Sequence, residues 1–275
     1  MNKLLSAGFR RMLRSREFLF CLLASVGIDI YACVNQYMEM RNTGLDVKLD
    51  YLVPGSVLLA GLILSVFVSL FVGTEYSEGT IRNKLVTGAH RASVYLSSFL
   101  VCSGAGLLLY LASLVSILIV GIPMFGFLQQ SPARIAILLL CGVPLTVCYA
   151  ALFNMLAMLI PNRAVNAVVC ILLTIVLMLA AMTVQGRLDQ PEFQSLAELS
   201  INGEIEMIQA PNPRYLDEIQ RARYELYRDL LPTGQSISIA GRLAASPLRM
   251  AILSTAETVI FCLIGLICFR KKDLK

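Results

Sequence analysis

The sequence predicts an all-α integral membrane protein with six transmembrane helices. Three observations carry that prediction. The 275 residues are 57% hydrophobic and only 15% charged, and the mean hydropathy is +0.73, more apolar surface than a soluble domain of this size can bury. Six apolar runs, about 17–37, 53–73, 93–120, 134–160, 164–184 and 250–269, each approach the length that crosses a membrane, which is roughly 20 residues for a hydrocarbon core of about 30 Å. The runs are solid rather than alternating, which excludes a closed barrel built from short alternating strands.

The elements follow in chain order. Residues 1–16 carry Lys3, Arg10, Arg11, Arg14 and Arg16, with no small-residue cleavage site after the next apolar run, so they do not read as a signal peptide. On a helical wheel Leu4, Leu5, Gly8, Phe9, Met12 and Leu13 share one side and the bases share the other. That pattern predicts an amphipathic helix in the membrane interface, its bases toward anionic lipid head groups. Span 1 contains Asp29 in its outer half. Span 2 is free of charge from Leu52 to Gly73.

The polar stretch 74–91, TEYSEGTIRNKLVTGAHR, interrupts the apolar sequence. Thr74, Glu75, Ser77 and Glu78 place acceptors and negative charge at an expected helix start, and Ile81 and Leu85 form an apolar pair one turn apart. Gly88 suits a helix stop. Ala92 to Ala133 follows with no charge in 42 residues. As one helix it would be roughly 63 Å long, twice what a membrane needs. Gly121, Pro123 and Gly126, then Gln129, Gln130, Ser131 and Pro132, mark the turn that ends it. Spans 4 and 5 meet at the short turn Pro161-Asn162-Arg163.

The long loop 185–248 reads as a partly helical cap. Tyr215, Ile219, Ala222, Leu226 and Leu230 recur at helical spacing, and Asp217, Arg221, Glu225 and Asp229 follow each other one turn apart, giving two favourable pairs on an exposed stripe. The spacing predicts one helix of about 17 residues, begun near Pro213 and stopped by Pro232 and Gly234. Span 6 holds Glu257 in its outer part. Spans and loops together read as one domain over 1–275.

Orientation follows from the bases in short loops. One side collects Lys3, Arg10, Arg11, Arg14, Arg16, Arg82, Lys84, Arg91, Arg163, Arg270, Lys271, Lys272 and Lys275, whereas the opposite short loops hold Arg41, Lys48 and Arg134. Both termini and 74–91 are therefore expected in the cytoplasm, and 185–248 outside. The net charge of +5 is then a topology signal, with no nucleic-acid partner implied. The eight Cys lie in or beside apolar runs without a Cys-x-x-Cys pair, as small hydrophobes do.

No catalytic constellation is present. His90 is the single histidine, which excludes a multi-histidine metal site or a Ser-His-Asp array. No phosphate-binding G-x-x-x-x-G-K-[ST] loop occurs. Asp29 and Glu257 each cost roughly 2.5–3.5 kcal/mol in the hydrocarbon on insertion scales. Each should face protein or water, either along a substrate path or simply near the wet outer interface.

The segment Phe71–Leu85, with an acid, then Gly79-Thr80, then bases running toward Arg91, resembles the element after span 2 in type-2 ABC exporter permeases. The six-span layout, the N-terminal interfacial helix and the enlarged last outer loop extend the resemblance. The Asn212-Pro213 to Gln235 loop resembles Gram-positive members associated with peptide-antibiotic export or immunity. The resemblance covers the whole chain in layout and about 20 residues in motif.

It implies a permease subunit in a bacterial cytoplasmic membrane, paired with a second permease chain and with separate ATP-binding subunits that carry ATP and Mg. This chain would hold no cofactor or metal and would not itself be an enzyme. It implies that 74–91 is a coupling helix docking into the ATPase, with Glu75, Gly79, Thr80 and Arg82 matching best and Tyr76, Glu78, Ile81, Lys84, Leu85 and Arg91 beside them. A hydrophobic or amphipathic substrate, such as an antimicrobial peptide or a lipid, would leave by this route, with Asp29 and Glu257 along its path. An ATP-independent carrier or channel, or a sensor or assembly subunit whose outer domain binds peptide, would share the same layout.

Overall fold

The structure is a computed structural model that describes residues 1–44, 47–199, 205–243 and 246–272. Lys275, counted above for orientation, and parts of the outer cap lie outside the described residues. The chain opens with α1 (Asn2–Arg14) and α2 (Arg16–Thr43). Extended backbone at Ser15 separates them, and its hydroxyl accepts the Phe18 N–H at 3.1 Å to cap α2. Next come α3 (Leu49–Leu52), a 3-10 turn (Pro54–Val57), α4 (Ala60–Ser77), α5 (Thr80–Val86), α6 (Arg91–Phe125), α7 (Pro132–Leu159) and α8 (Arg163–Leu188). A hairpin of β1 (Phe193–Leu199) and β2 (Ile205–Pro211) follows, then α9 (Glu218–Asp229), α10 (Pro232–Ala240) and α11 (Pro247–Lys271).

Among the described residues, six segments are long and apolar enough to cross a membrane: α2, the α3–α4 unit, α6, α7, α8 and α11. Their centres agree with the six predicted runs, although the helices overrun them into polar sequence. Span 2 differs in kind. Its entry is broken into α3 and the 3-10 turn before α4 begins, because Pro54 has no N–H to give to a helix.

Packing is centred on α7, which touches α4, α6, α10 and α11. It closes through small residues that admit a bulky neighbour, as helices in a membrane do. A Cβ on Gly142 would stand 2.4 Å from the Tyr110 hydroxyl, and one on Gly61 would stand 2.7 Å from the Tyr149 ring. Gly106 faces Leu64 and Thr146 in the same way. Away from this centre, α2, α8 and α11 expose rows of large apolar residues.

The helix expected at the N-terminus is present as α1, and its apolar side is taken up by protein: Leu4, Leu5 and Phe9 pack on the core, Met12 is fully buried, and Phe9 lies against Gly104 of α6. Expectations for the outer loop are corrected: 193–199 pairs antiparallel with 205–211, Phe193 opposite Pro211. The helix of about 17 residues is instead the 12-residue α9, and Pro232 starts α10 as well as ending α9. Among the described residues the apolar stripe of α9 is not covered: Ile219 is 71% exposed and Leu226 is also exposed. Arg221 does not pair with its neighbouring acids; it donates to the Leu188 carbonyl at 2.9 Å.

Buried α10 fills the space between α7, α8 and the 3-10 turn. Three of its polar side chains are met and the buried Ser238 hydroxyl is not: Thr233 donates to the Leu177 carbonyl at 2.7 Å, Gln235 to the Asp229 carbonyl at 2.8 Å, and Ser236 shares a 2.9 Å bond with Tyr149. A Cβ at Gly234 would lie 2.1 Å from the Arg228 carbonyl oxygen, so glycine is required there. Asp229, also buried, is paired with Arg228 and Arg249.

Buried Asp50 in α3 accepts the N–H groups of Gln129 at 3.1 Å and Gln130 at 3.2 Å, tying span 2 to the α6–α7 turn. Asp50→Ala leaves both donors unmet and should cost about 2 kcal/mol, the scale of hydrogen bonds to a charged group. Thermal unfolding in detergent measures it; an unchanged midpoint would show that the turn does not depend on Asp50.

Candidate functional site

At the end of the bundle that carries both termini, charged side chains fasten 74–91 to its neighbours at two places. Its layout follows from two helix breaks. The helix start expected at Thr74 is displaced: Thr74 and Glu75 complete the last turn of α4, and α5 begins at Thr80. Gly79 makes the break with φ +67, and Gly88 ends the element with φ +91, backbone that costs a residue with a Cβ about 1–2 kcal/mol.

Glu75 sits at the middle. Its carboxylate is 4% exposed and takes 2.8 Å bonds from Arg11 of α1 and from Lys84 of α5 on the same oxygen. Arg11 also lies over the Phe71 ring at 5.0 Å and within 4.0 Å of Glu78. One acid therefore fastens the first helix and the short helix to the end of span 2. Beside it, Glu17 accepts from Thr74 at 3.3 Å and from Arg163 at 3.4 Å.

A second fastening comes from the C-terminal side. Tyr76 donates to the Met158 carbonyl, and the Lys272 ammonium reaches that carbonyl at 2.9 Å and the Tyr76 hydroxyl at 3.1 Å. Burial pushes the Lys272 ammonium below its ordinary pKa. Arg91 donates to the carbonyls of Phe269, Arg270 and Lys272 as α11 ends. The short helix α5 thus packs on α4 and α6 and shares Glu75 with α1, while the end of α11 is tied to the neighbouring ends of α4 and α6.

The residues expected to contact a partner therefore divide. Glu75 and Ile81 are buried and hold α5 in place. Tyr76, Gly79, Thr80, Lys84, Leu85 and Arg91 are half-buried. Glu78 and Arg82 point outward, together with Asn83, Val86, Thr87 and His90. Val86 is 78% exposed on this polar face. It went unnoticed in the sequence because a lone valine in a mixed stretch carries no periodic signal, and only the placement of Ile81 underneath shows which face is free.

Asp29 and Glu257 are not brought together. Asp29 accepts from Ser116 of α6 at 3.0 Å and lines a cavity of about 20 Å³ with Ser25, Ser56, Tyr110 and Ser113, room for about one water. Glu257 accepts from the Cys148 thiol of α7 at 3.3 Å, and its other oxygen is buried without a partner. Among the described residues no hydrogen bond or ion pair joins the two acids, and no cluster of ligating side chains suited to a metal occurs.

Compared with known proteins, the chain matches no family model and no curated protein.

Proposed function

We propose that this chain is the membrane-spanning subunit of an ATP-driven exporter, set in a bacterial cytoplasmic membrane with both termini inside. It would act beside a second permease chain and separate ATP-binding subunits. The observation that carries the reading is α5: a two-turn helix with its buried side fastened by Glu75, Lys84 and Ile81 and its outer side free. A helix held that way can pass a push at its outer face to α4 and α6, and through Glu75 to α1. The sequence offers no phosphate loop of its own, so ATP would be hydrolysed on the partner. ATP binding would close the partner pair, drive α5, and rock spans 1, 2 and 5 to release a hydrophobic or amphipathic substrate.

Docking should depend on the exposed face of α5. The Arg82→Glu/Val86→Asp variant should lose co-purification with the ATP-binding subunit by 10-fold or more, a loss of about 1.4 kcal/mol, with an unchanged melting temperature. A tagged chain that brings down no nucleotide-binding protein from its own membranes, or a variant that still brings it down at the original level, would overturn the docking role. Transport into vesicles that persists without any ATPase would favour an ATP-independent carrier instead.

A further inference from the structure

The network around Glu75 leaves three cations unspent. Beside it, between α1, the start of α2 and the end of α4, runs an open groove of about 910 Å³. Lys3, Arg10 and Arg14 line it, and among the described residues none of the three has a carboxylate partner. The two acids at its edge are already engaged, Glu78 by Arg11 and Glu17 by Arg163 and Thr74. The surplus is positive. Ser6 adds a hydroxyl to the wall, and Phe71 and Ala7 give an apolar floor.

The depth of the groove is set by covalent structure. Only Ser15 separates α1 from α2, so α1 cannot leave the membrane boundary. Arg11 of α1 meets Glu75 in the last turn of α4, and Arg14 ends α1 one residue before α2 begins, which places the bases of α1 at the ends of spans 1 and 2, where lipid phosphates lie. Because the apolar side of α1 is bound to α6, its basic side does not merely float the helix on the bilayer.

The geometry points to a binding site for the phosphodiester head group of an anionic phospholipid, held by Arg10 and Arg14 with Lys3 at the rim. Arginine forks match phosphate oxygens in two-point contact. An acidic segment of a soluble partner would meet the same charges, but the groove opens at head-group depth and combines an apolar floor with the bases, which suits a lipid. This inference does not depend on the exporter reading.

The test uses the full chain purified alone in phosphatidylcholine micelles doped with phosphatidylglycerol, and native mass spectrometry of the retained lipid. Wild-type protein should retain phosphatidylglycerol over phosphatidylcholine. Arg10→Gln/Arg14→Gln should lower that retention about 30-fold, from about 1 kcal/mol for each base near an anionic surface, with phosphatidylcholine unaffected. Arg214→Gln/Arg223→Gln, in the loop between α8 and α11, should change nothing. Equal retention of the two lipids by wild type, or full retention by the groove variant, overturns the site. So does a groove variant that loses only a soluble partner while keeping phosphatidylglycerol. If the glutamine variant does not fold, wild-type retention must still fall as salt rises, and Arg10→Lys/Arg14→Lys must still hold the lipid; failure of either overturns the site.

Discussion

Glu75→Ala should destabilise the protein by about 2–3 kcal/mol. Breaking a buried ion pair from one side costs about 3–5 kcal/mol, and the figure is discounted because Arg11 and Lys84 keep 29% and 23% of their side chains exposed and can rehydrate. The loss has a geometric part. Both cations bind the same Glu75 oxygen, so without it two positive groups face each other and α1 and α5 lose their shared post. Glu75→Gln keeps an acceptor and should fall between the two. The measurement is thermal unfolding of the purified chain in one detergent at fixed salt.

Coupling to Lys84 discriminates an anchor from a partner contact. If Glu75 holds α5, Lys84→Met combined with Glu75→Ala should cost clearly less than the two singles added together, because the second change removes the cation stranded by the first. Strict additivity, or a Glu75→Ala midpoint equal to wild type, would mean that the carboxylate does not hold the element. In either event the exposed Arg82 and Val86 remain the docking test, since neither takes part in the Glu75 pairing.

Gly265→Val should be strongly destabilising. A Cβ at Gly265 would stand 2.1 Å from the Tyr95 hydroxyl oxygen, 2.7 Å from its ring carbon and 3.0 Å from Met155 Cγ. Tyr95 is fully buried and cannot swing away without displacing its neighbours. Gly265→Ala should cost about 1–3 kcal/mol, the usual penalty for overpacking, and the two further methyls of valine should separate α11 from α6 and α7. Tyr95→Phe removes the nearest atom, so it should recover part of the loss in Gly265→Ala. If Gly265→Ala melts with wild type, or Tyr95→Phe gives no rescue, the two helices are not as close as this contact requires. Separation of α11 would also release the Arg91 bonds at the start of α6 and the Lys272 bond to Tyr76 at the end of span 2.

Much of this arrangement was legible from residue order. The six apolar runs needed only their lengths, since a helix in hydrocarbon satisfies its own backbone and must span the core. The polar stretch 74–91 stood out by contrast with its surroundings, and Gly79 and Gly88 punctuated it by their freedom at positive φ. Three other features were not legible. The antiparallel pair 193–199 and 205–211 joins two segments, and neither strand alternates strongly enough to announce the other. The sequence PTGQSISIA of α10 reads as a stop because it starts with proline and is polar; it is helical and buried because Tyr149 and the Leu177 carbonyl stand ready to meet its hydroxyls. The stripe on α9 announced a helix, and among the described residues Ile219 and Leu226 on it stay exposed.

The sequence by itself determined a six-span helical chain, the place of its charged interruption and the absence of a phosphate loop. Those are properties of run length, composition and local backbone preference, which act over a few neighbouring residues. Only the tertiary structure decided which charges of that interruption are free. Glu75 and Arg82 look equivalent along the chain; Arg11, 64 residues away, draws Glu75 into the bundle, while nothing covers Arg82. Ion pairing and burial depend on what long-range packing brings within about 3 Å of a group, and residue order alone does not state that distance.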